Sequence, residues 1–218
     1  MDVRLSDGTI VSCDDSPFAS GGDGDIYWSK GRTHVIKQYQ QPDPHRRQSL
    51  ELIIGKYNIV KEDPLKEPFF SWPDAIVVAP RLGVRMPTRN LRGVERITKP
   101  RFWATLPADE KGSFAVRVAM AYRAARAIKW LHGRGLCHSD ISDKNIMASA
   151  KDATTCIIDC DGLVVKDFTP AQVYGTPKFM APEIEDGNGM PTIATDRHSL
   201  AVLIYQLFFL RHPLEGPK

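Results

Sequence analysis

The sequence predicts an α+β fold, with short strands concentrated in its first part and helices in the rest. Three observations lead there. Residues 1–39 carry strand-like runs separated by Gly- and Asp-containing turns, Ser113 to His132 has helical periodicity, and Leu200 to Leu210 is apolar enough for a core helix. With 218 residues the chain can bury a good core, as one large domain or two small lobes. Its hydrophobic share of 42% and charged share of 25% are those of an ordinary soluble globular protein. A net charge of +3 is too small to argue for nucleic acid or membrane. Leu200 to Leu210, the most apolar segment, is interrupted by Gln206 and too short to span a bilayer. The four cysteines, at 13, 137, 156 and 160, form no CxxC, so reduced thiols in the cytoplasm are expected and a zinc site has little support. The start, MDVRLSDGT, lacks a basic region followed by an apolar run, so no signal peptide is visible.

The elements follow in order. Val3 and Leu5 alternate ahead of a turn at Asp7-Gly8, and Ile10 and Val11 form the return strand. Ala19 to Tyr27, ASGGDGDIY, is a glycine-rich turn before a second strand-like run, Thr33 to Tyr39. Such a turn lets backbone N–H groups approach phosphates without Cβ interference, although taken alone it reads first as an ordinary hairpin loop. No GxxxxGK[ST] occurs, which excludes a P-loop NTPase. Lys37 lies in the second run, where a lone lysine commonly faces solvent. A helix is expected from His45 to Val60, apolar at Leu50, Ile53, Ile54, Tyr57 and Val60. Residues 63–80 contain four prolines and read as loop and edge structure, followed by strands at Val77-Val78 and Leu82 to Met86. Between Arg81 and Arg101 stand six arginines and one lysine against a single acid, Glu95. That reads as a solvated face, with an acidic or phosphorylated protein as the functional alternative. Ser113 is positioned to cap the long helix, whose expected apolar face is Phe114, Val118, Ala121, Ile128 and Leu131; Gly133 and Gly135 then stop it.

The stretch Cys137 to Gly162, CHSDISDKNIMASAKDATTCIIDCDG, carries the chemistry. Apolar pairs follow Asn145 and precede Asp159. Two short buried strands there would bring Asp140, Asn145 and Asp159 to adjacent strand ends facing one cleft. Such a set suits a hard cation such as Mg²⁺ and leaves one carboxylate to orient an attacking hydroxyl. The competing reading is that these residues merely cap turns.

HSDISDKN resembles the protein-kinase motif H-R-D-x-x-x-x-N, and IIDCDG stands where those enzymes have D-F-G. Tyr174 to Glu183, YGTPKFMAPE, resembles G-T-x-x-[YF]-x-A-P-E of eukaryotic-type Ser/Thr kinases almost residue for residue. Val35-Ile-Lys37 resembles V-A-I-K, and Gly21, Gly24 and Ile26 match the glycine-rich loop and the Val after it, with Ala19 in place of the first glycine. The resemblance implies a bilobal kinase-like fold, with a small antiparallel β N-lobe (residues 1–86) and a mainly helical C-lobe (87–218). It also implies ATP and Mg²⁺ (or Mn²⁺) as cofactors and a protein as substrate. By the same resemblance, Ala19, Gly21, Gly22, Gly24, Ile26 and Lys37 contact the nucleotide. Glu51 is the acidic partner of Lys37, with Glu62 as fallback. Met86 to Thr88 is the adenine-binding hinge, although Pro87 lacks a donor. Asp140, Lys37 and Thr176 act in catalysis, with Thr176 bonding to Asp140. Asn145 and Asp159 hold the metal, and Asp161 is the alternative ligand or a second acid. His138 packs beneath the loop. Asp196 braces the loop backbone or caps its own helix.

The departures are as informative. Ser139 replaces the arginine that answers a phosphorylated activation segment. Phosphorylation within 163–175, whose hydroxyls are those of Thr169 and Tyr174, is then no obligatory switch. Ser142 replaces the lysine that contacts the γ-phosphate, Gly162 falls one place late in the DCDG motif, and Asp23 puts a carboxylate near the phosphates. Together these features look most like a divergent bacterial group of tellurite-resistance-associated kinases. Some of these are grouped with von Willebrand-type proteins and metal-dependent phosphatases, which implies such proteins as partners, with no nucleic acid and no membrane. The C-lobe is expected to be truncated, leaving some of Tyr205, Phe208, Phe209 and Leu210 exposed as a patch. The expected activity is transfer of the ATP γ-phosphoryl group to Ser or Thr of a protein. The alternatives are a nucleotide-binding pseudokinase scaffold and an aminoglycoside-type small-molecule kinase, the latter opposed by GTPKFMAPE.

Overall fold

The computed structural model describes residues 1–42, 44–165 and 174–216. The first part of the chain forms strands β1 (Asp2–Leu5), β2 (Ile10–Ser12), β3 (Ala19–Ser20), β4 (Gly24–Trp28) and β5 (His34–Tyr39). Helices α1 (Pro44–Ile54) and α2 (Ile59–Glu62) follow, then β6 (Ala75–Ala79) and β7 (Gly83–Pro87). These seven strands make one antiparallel sheet in the order β2-β1-β6-β7-β5-β4-β3. Side chains alternate across it. Val3, Leu5, Tyr27, Ile36 and Val77 fill one face, while Tyr39, Ile76, Val84 and Met86 pack with Leu50 of α1 on the other. Two glycines hold β5 between its neighbours. A Cβ on Gly24 would stand 2.4 Å from the Gln38 carbonyl oxygen, and one on Gly83 would stand 2.3 Å from that of Lys37.

The helix expected over residues 45–60 is broken. α1 ends at Ile54, and Asn58 starts α2 by accepting from the Lys61 amide at 2.9 Å. Gly55 and Asn58, both poor helix formers, supply the interruption. The basic run from Arg81 is also not a bare solvated face. Arg81 pairs with Asp25, Arg85 with Asp74, Arg89 with Glu67 and Arg92 with Glu110. The acids come from other elements, so their distribution along the chain concealed the pairing.

Beyond β7 come β8 (Arg92–Gly93), the single-turn helices α3 (Glu95–Thr98), α4 (Pro100–Trp103) and α5 (Ala108–Lys111), and the long α6 (Phe114–Gly133). After α6 lie β9 (Leu136–Cys137), β10 (Ile146–Ala148), β11 (Thr155–Ile157), β12 (Val164–Val165), α7 (Pro182–Glu185) and α8 (Ile193–Phe209). Ser113 caps α6 by accepting from the Val116 amide at 3.3 Å. The buried side of α6 is Met120, Ala121, Ala124, Ala127, Ile128 and Leu131, packed with Val202, Leu203 and Leu207 of α8. Phe114 and Val118, expected on that face, are exposed; with Tyr122 they form a separate outer stripe at i, i+4 and i+8. α8 opens with a capping box in which Thr192 and Thr195 serve each other's backbone, so Asp196 is not its cap. At its far end Phe209 is 55% exposed, while Tyr205, Phe208 and Leu210 are partly buried. The Phe208 ring lies 5.8 Å from that of Phe114, so the exposed rings are contiguous across α6 and α8. Among the described residues no helix is long and apolar enough to cross a membrane. All four cysteines are buried free thiols, and burial pushes the Cys156 thiol up to about 11.

Candidate active site

The hairpin β10–β11 sets the geometry. Ile146 pairs with Ile157, so Asn145 enters the hairpin beside the point where the chain leaves it toward Asp159. The Ile158 amide closes the mouth by donating to the Asn145 carbonyl at 3.0 Å. Asp159 then adopts the left-handed conformation (φ 62°, ψ 33°), which Asp tolerates better than most residues. That turn aims its carboxylate at the sheet, where Lys37 Nζ donates to Oδ1 at 2.8 Å.

The loop before β10 is held from both sides. Asp196, buried on α8, accepts from the His138 amide (2.7 Å) and the Ser139 amide (3.0 Å), and His132 Nε2 lies 3.0 Å away. His138 is buried with Nε2 donating to the Ile158 carbonyl at 2.9 Å, which ties the loop to the Asp159 segment. Between these anchors Asp140 has both carboxylate oxygens engaged. Thr176 Oγ1 donates to Oδ1 at 2.6 Å, and Asn145 Nδ2 donates to Oδ2 at 2.8 Å. Gly175, at φ 122°, brings Thr176 in; a Cβ there would stand 2.9 Å from Met180 Cγ. Residues 166–173, Thr169 among them, lie outside the described residues.

Lys37 is 5% exposed and is surrounded by acids: Asp23 and Asp159 at 2.8 Å and Asp161 at 3.0 Å. Burial opposes its charge, but Asp159 and Asp161, followed by Tyr39 and Asp23, hold its pKa well above the usual lysine value. Burial likewise raises the Asp159 carboxyl, and the charge and hydrogen bond of Lys37 more than reverse that, leaving it below the ordinary value. Asp161, 1% exposed, accepts from the Tyr39 hydroxyl at 2.7 Å through Oδ2, while its buried Oδ1 has no hydrogen-bond partner among the described residues.

Glu51 is not among the acids at Lys37. It projects from the outer face of α1 and pairs with Arg47 at 3.1 Å. Glu62, the fallback, pairs with Arg134. The reason is helical phase: Leu50 packs on the sheet and Ile53 is buried in the larger core, which turns position 51 to solvent. Arg46 occupies the inward position instead. Its guanidinium lies 4.3 Å from the centre of the Tyr39 ring and pairs with Asp23. The set around Lys37 therefore includes three residues that pattern reading missed in this role: Asp23, Tyr39 and Arg46. Tyr39 shares the strand face of Lys37 two residues on, and Arg46 is a charged residue in the α1 stripe with Leu50 and Ile53. Both signals are present in the sequence.

The remaining positions are distributed as follows. Gly21, Gly22 and Asp23 form the turn between β3 and β4, Ala19 pairs with Ile26, and Ile26 lies opposite Lys37. Met86 is buried in the sheet, and the Thr88 amide is already committed to the Thr33 carbonyl at 2.9 Å. With Pro87 lacking an N–H, neither Pro87 nor Thr88 has an amide free for a nucleobase. Ser142 is fully buried, while Lys144 is exposed.

Residues 102–218 match the family model of the protein kinase domain. The chain belongs to the protein kinase family. As in that family, an antiparallel sheet is joined to a mainly helical part. The calcium/calmodulin-dependent protein kinase type I of Schizosaccharomyces pombe is 30% identical over 117 residues, covering 49% of this chain and 34% of that protein. Serine/threonine-protein kinase PknD of Chlamydia abortus is 26% identical over 136 residues, covering 52% of this chain and 14% of the relative. Serine/threonine-protein kinase ppk34 of S. pombe is 35% identical over 98 residues, covering 41% and 26%. The chain spans about a third or less of the length of these relatives.

Proposed function

We propose that this kinase domain binds ATP in the cleft between Lys37 and Asp140 and transfers its γ-phosphoryl group to a Ser or Thr hydroxyl of a protein. The observation that carries the reading is the fixing of Asp140 by Thr176 and Asn145, opposite a buried Lys37. Asp140 accepts a hydrogen bond from the incoming hydroxyl and takes its proton as the new P–O bond forms and the bond from the γ-phosphorus to the bridging oxygen breaks, releasing ADP. Its two existing bonds fix the carboxylate plane, so little reorganisation accompanies the reaction. Lys37 supplies positive charge for phosphate oxygens. Asn145, Asp159 and Asp161 fit a divalent cation. Asn145 spends its amide N–H on Asp140, which leaves its carbonyl oxygen as the hard donor, and Asp161 Oδ1 is a buried oxygen without a partner. Mg²⁺ or Mn²⁺ there would neutralise phosphate charge.

Two observations favour a second reading, a nucleotide-binding scaffold with little transfer. Lys37 is saturated by three carboxylates, and Ser142 is buried where most relatives place a γ-phosphate lysine. The DCDG motif further supports placement with the tellurite-resistance-associated kinases, with a von Willebrand-type protein and a metal-dependent phosphatase as partners. Incubation with γ-labelled ATP, Mg²⁺ and generic protein substrates separates the readings. Label transfer that disappears in Asp140→Asn supports the enzyme. Nucleotide binding without transfer supports the scaffold.

A further inference from the structure

We propose that Arg46 and Lys37 together form a two-cation seat for a phosphate group of the nucleotide, and that Asp23 fills this seat until nucleotide displaces it. The inference deepens the reading of the cleft as a nucleotide site and rests on it. Arg46 is only 4% exposed, an unusual position for a guanidinium. Tyr39 covers one side of it, and Nη2 reaches both oxygens of Asp23. The same carboxylate lies 2.8 Å from Lys37 Nζ. An anionic group held at once by a guanidinium and an ammonium is what a phosphate would become at this position.

Loop geometry favours exchange, and the charge balance allows it. Two cations, Lys37 and Arg46, face three carboxylates, Asp23, Asp159 and Asp161, so the cluster carries an excess negative charge before any ligand arrives. Replacing Asp23 by a phosphate leaves both buried cations paired and returns one carboxylate to water. No charge is stranded, and the large cost of an unpaired buried ion is avoided. Asp23 is also the acid best placed to leave. Its side chain is 33% exposed in a turn where a Cβ added at Gly21 or Gly22 would meet nothing within 4 Å, whereas Asp161 is enclosed.

The competing account makes Arg46–Asp23 a clasp that holds the glycine-rich turn down over the nucleotide. The two accounts differ in sign. An internal competitor lowers apparent affinity by the fraction of molecules in which the seat is free, so removing it tightens binding; removing a clasp weakens it. Calorimetric titration of the whole chain with Mg·ADP, and with adenosine as a probe lacking phosphate, decides between them. Asp23→Asn is expected to bind Mg·ADP about tenfold more tightly while adenosine affinity is unchanged. Arg46→Met is expected to weaken Mg·ADP by about tenfold and Arg46→Lys by less, since it keeps the charge and loses only the fork. The lysine variant serves if the methionine variant fails to fold. Unchanged or weaker Mg·ADP binding in Asp23→Asn, with binding still reduced by Lys37→Met, overturns the two-cation seat and leaves the nucleotide site standing. Absence of Mg·ADP and adenosine binding in wild type and Asp23→Asn alike overturns the nucleotide reading, and the seat with it.

Discussion

The two walls of the cleft are built on different principles. On the Asp140 side, contacts are neutral or singly charged hydrogen bonds: Thr176 and Asn145 donate to the two carboxylate oxygens of Asp140, and Asp196 accepts from two amides beside His132. On the Lys37 side, five charged groups and a tyrosine crowd together, and their number is unbalanced. The first arrangement is complete without a ligand and has little to gain by moving. The second has surplus negative charge and an acid, Asp23, whose side chain is 33% exposed, so ligands bearing charge act on it first. Rigidity at the hydroxyl-orienting group and responsiveness at the phosphate-binding group are compatible because they lie on separate elements.

The sharpest way to break this contrast is Asp140→Asn. It keeps the shape and the Thr176 bond partner while removing the proton acceptor. Transfer is expected to fall by roughly 10²- to 10⁴-fold, with Mg·ADP affinity within about twofold of wild type. A large loss of affinity in a direct titration would show that the two walls are not separable.

A second substitution pair tests the backbone that carries Lys37. Gly24→Ala places a methyl group 2.4 Å from the Gln38 carbonyl, and the strand must shift. A loss of about 1–3 kcal/mol in chemical denaturation is expected. Gly22→Ala meets nothing within 4 Å and is expected to lie within about 0.5 kcal/mol of wild type. Equal effects would mean that both glycines serve only the flexibility of the turn.

The same contrast governs what was legible in the sequence. Asp140, Asn145 and Asp159 lie within twenty residues, and the apolar pairs beside them announce the β10–β11 hairpin, so local pattern and local geometry coincide. The glycine-threonine pair at 175–176 was readable for a similar reason, because its motif is contiguous. Partners of Lys37 come from a turn, a helix and a loop more than a hundred residues away, and no local period encodes which acid arrives. Glu51 lies in the expected helix but on its outward face, one position after the buried Leu50. The break between α1 and α2 was likewise invisible to an apolar count that continued through Tyr57 and Val60.

Asp159→Asn and Asp161→Asn sharpen the assignment on the responsive wall. Both carboxylates touch Lys37, but only Asp161 has an oxygen that is buried and unpartnered. Each variant is expected to weaken Mg-dependent nucleotide binding by roughly tenfold. Comparing titrations with and without Mg²⁺ isolates the metal-linked part. If only one variant abolishes the Mg²⁺ dependence, that residue is the ligand and the other a charge neighbour.

The smallest expected effect belongs to Glu51→Ala. Its partner Arg47 is one helical turn away, and both side chains are more than half exposed, at 54% and 55%. Such a pair contributes about 0.3–0.5 kcal/mol at most, and salt screens it. Alanine also has the higher helix propensity, which offsets part of the loss. Stability should therefore stay within about 0.5 kcal/mol of wild type, and Mg·ADP affinity within about twofold. Arg46→Lys, five residues earlier and facing inward, should have the larger effect on affinity despite conserving charge. If Glu51→Ala instead weakens nucleotide binding as much as Lys37→Met does, the helix must rotate when nucleotide binds. The charge cluster seen here would then be the resting arrangement of a moving wall.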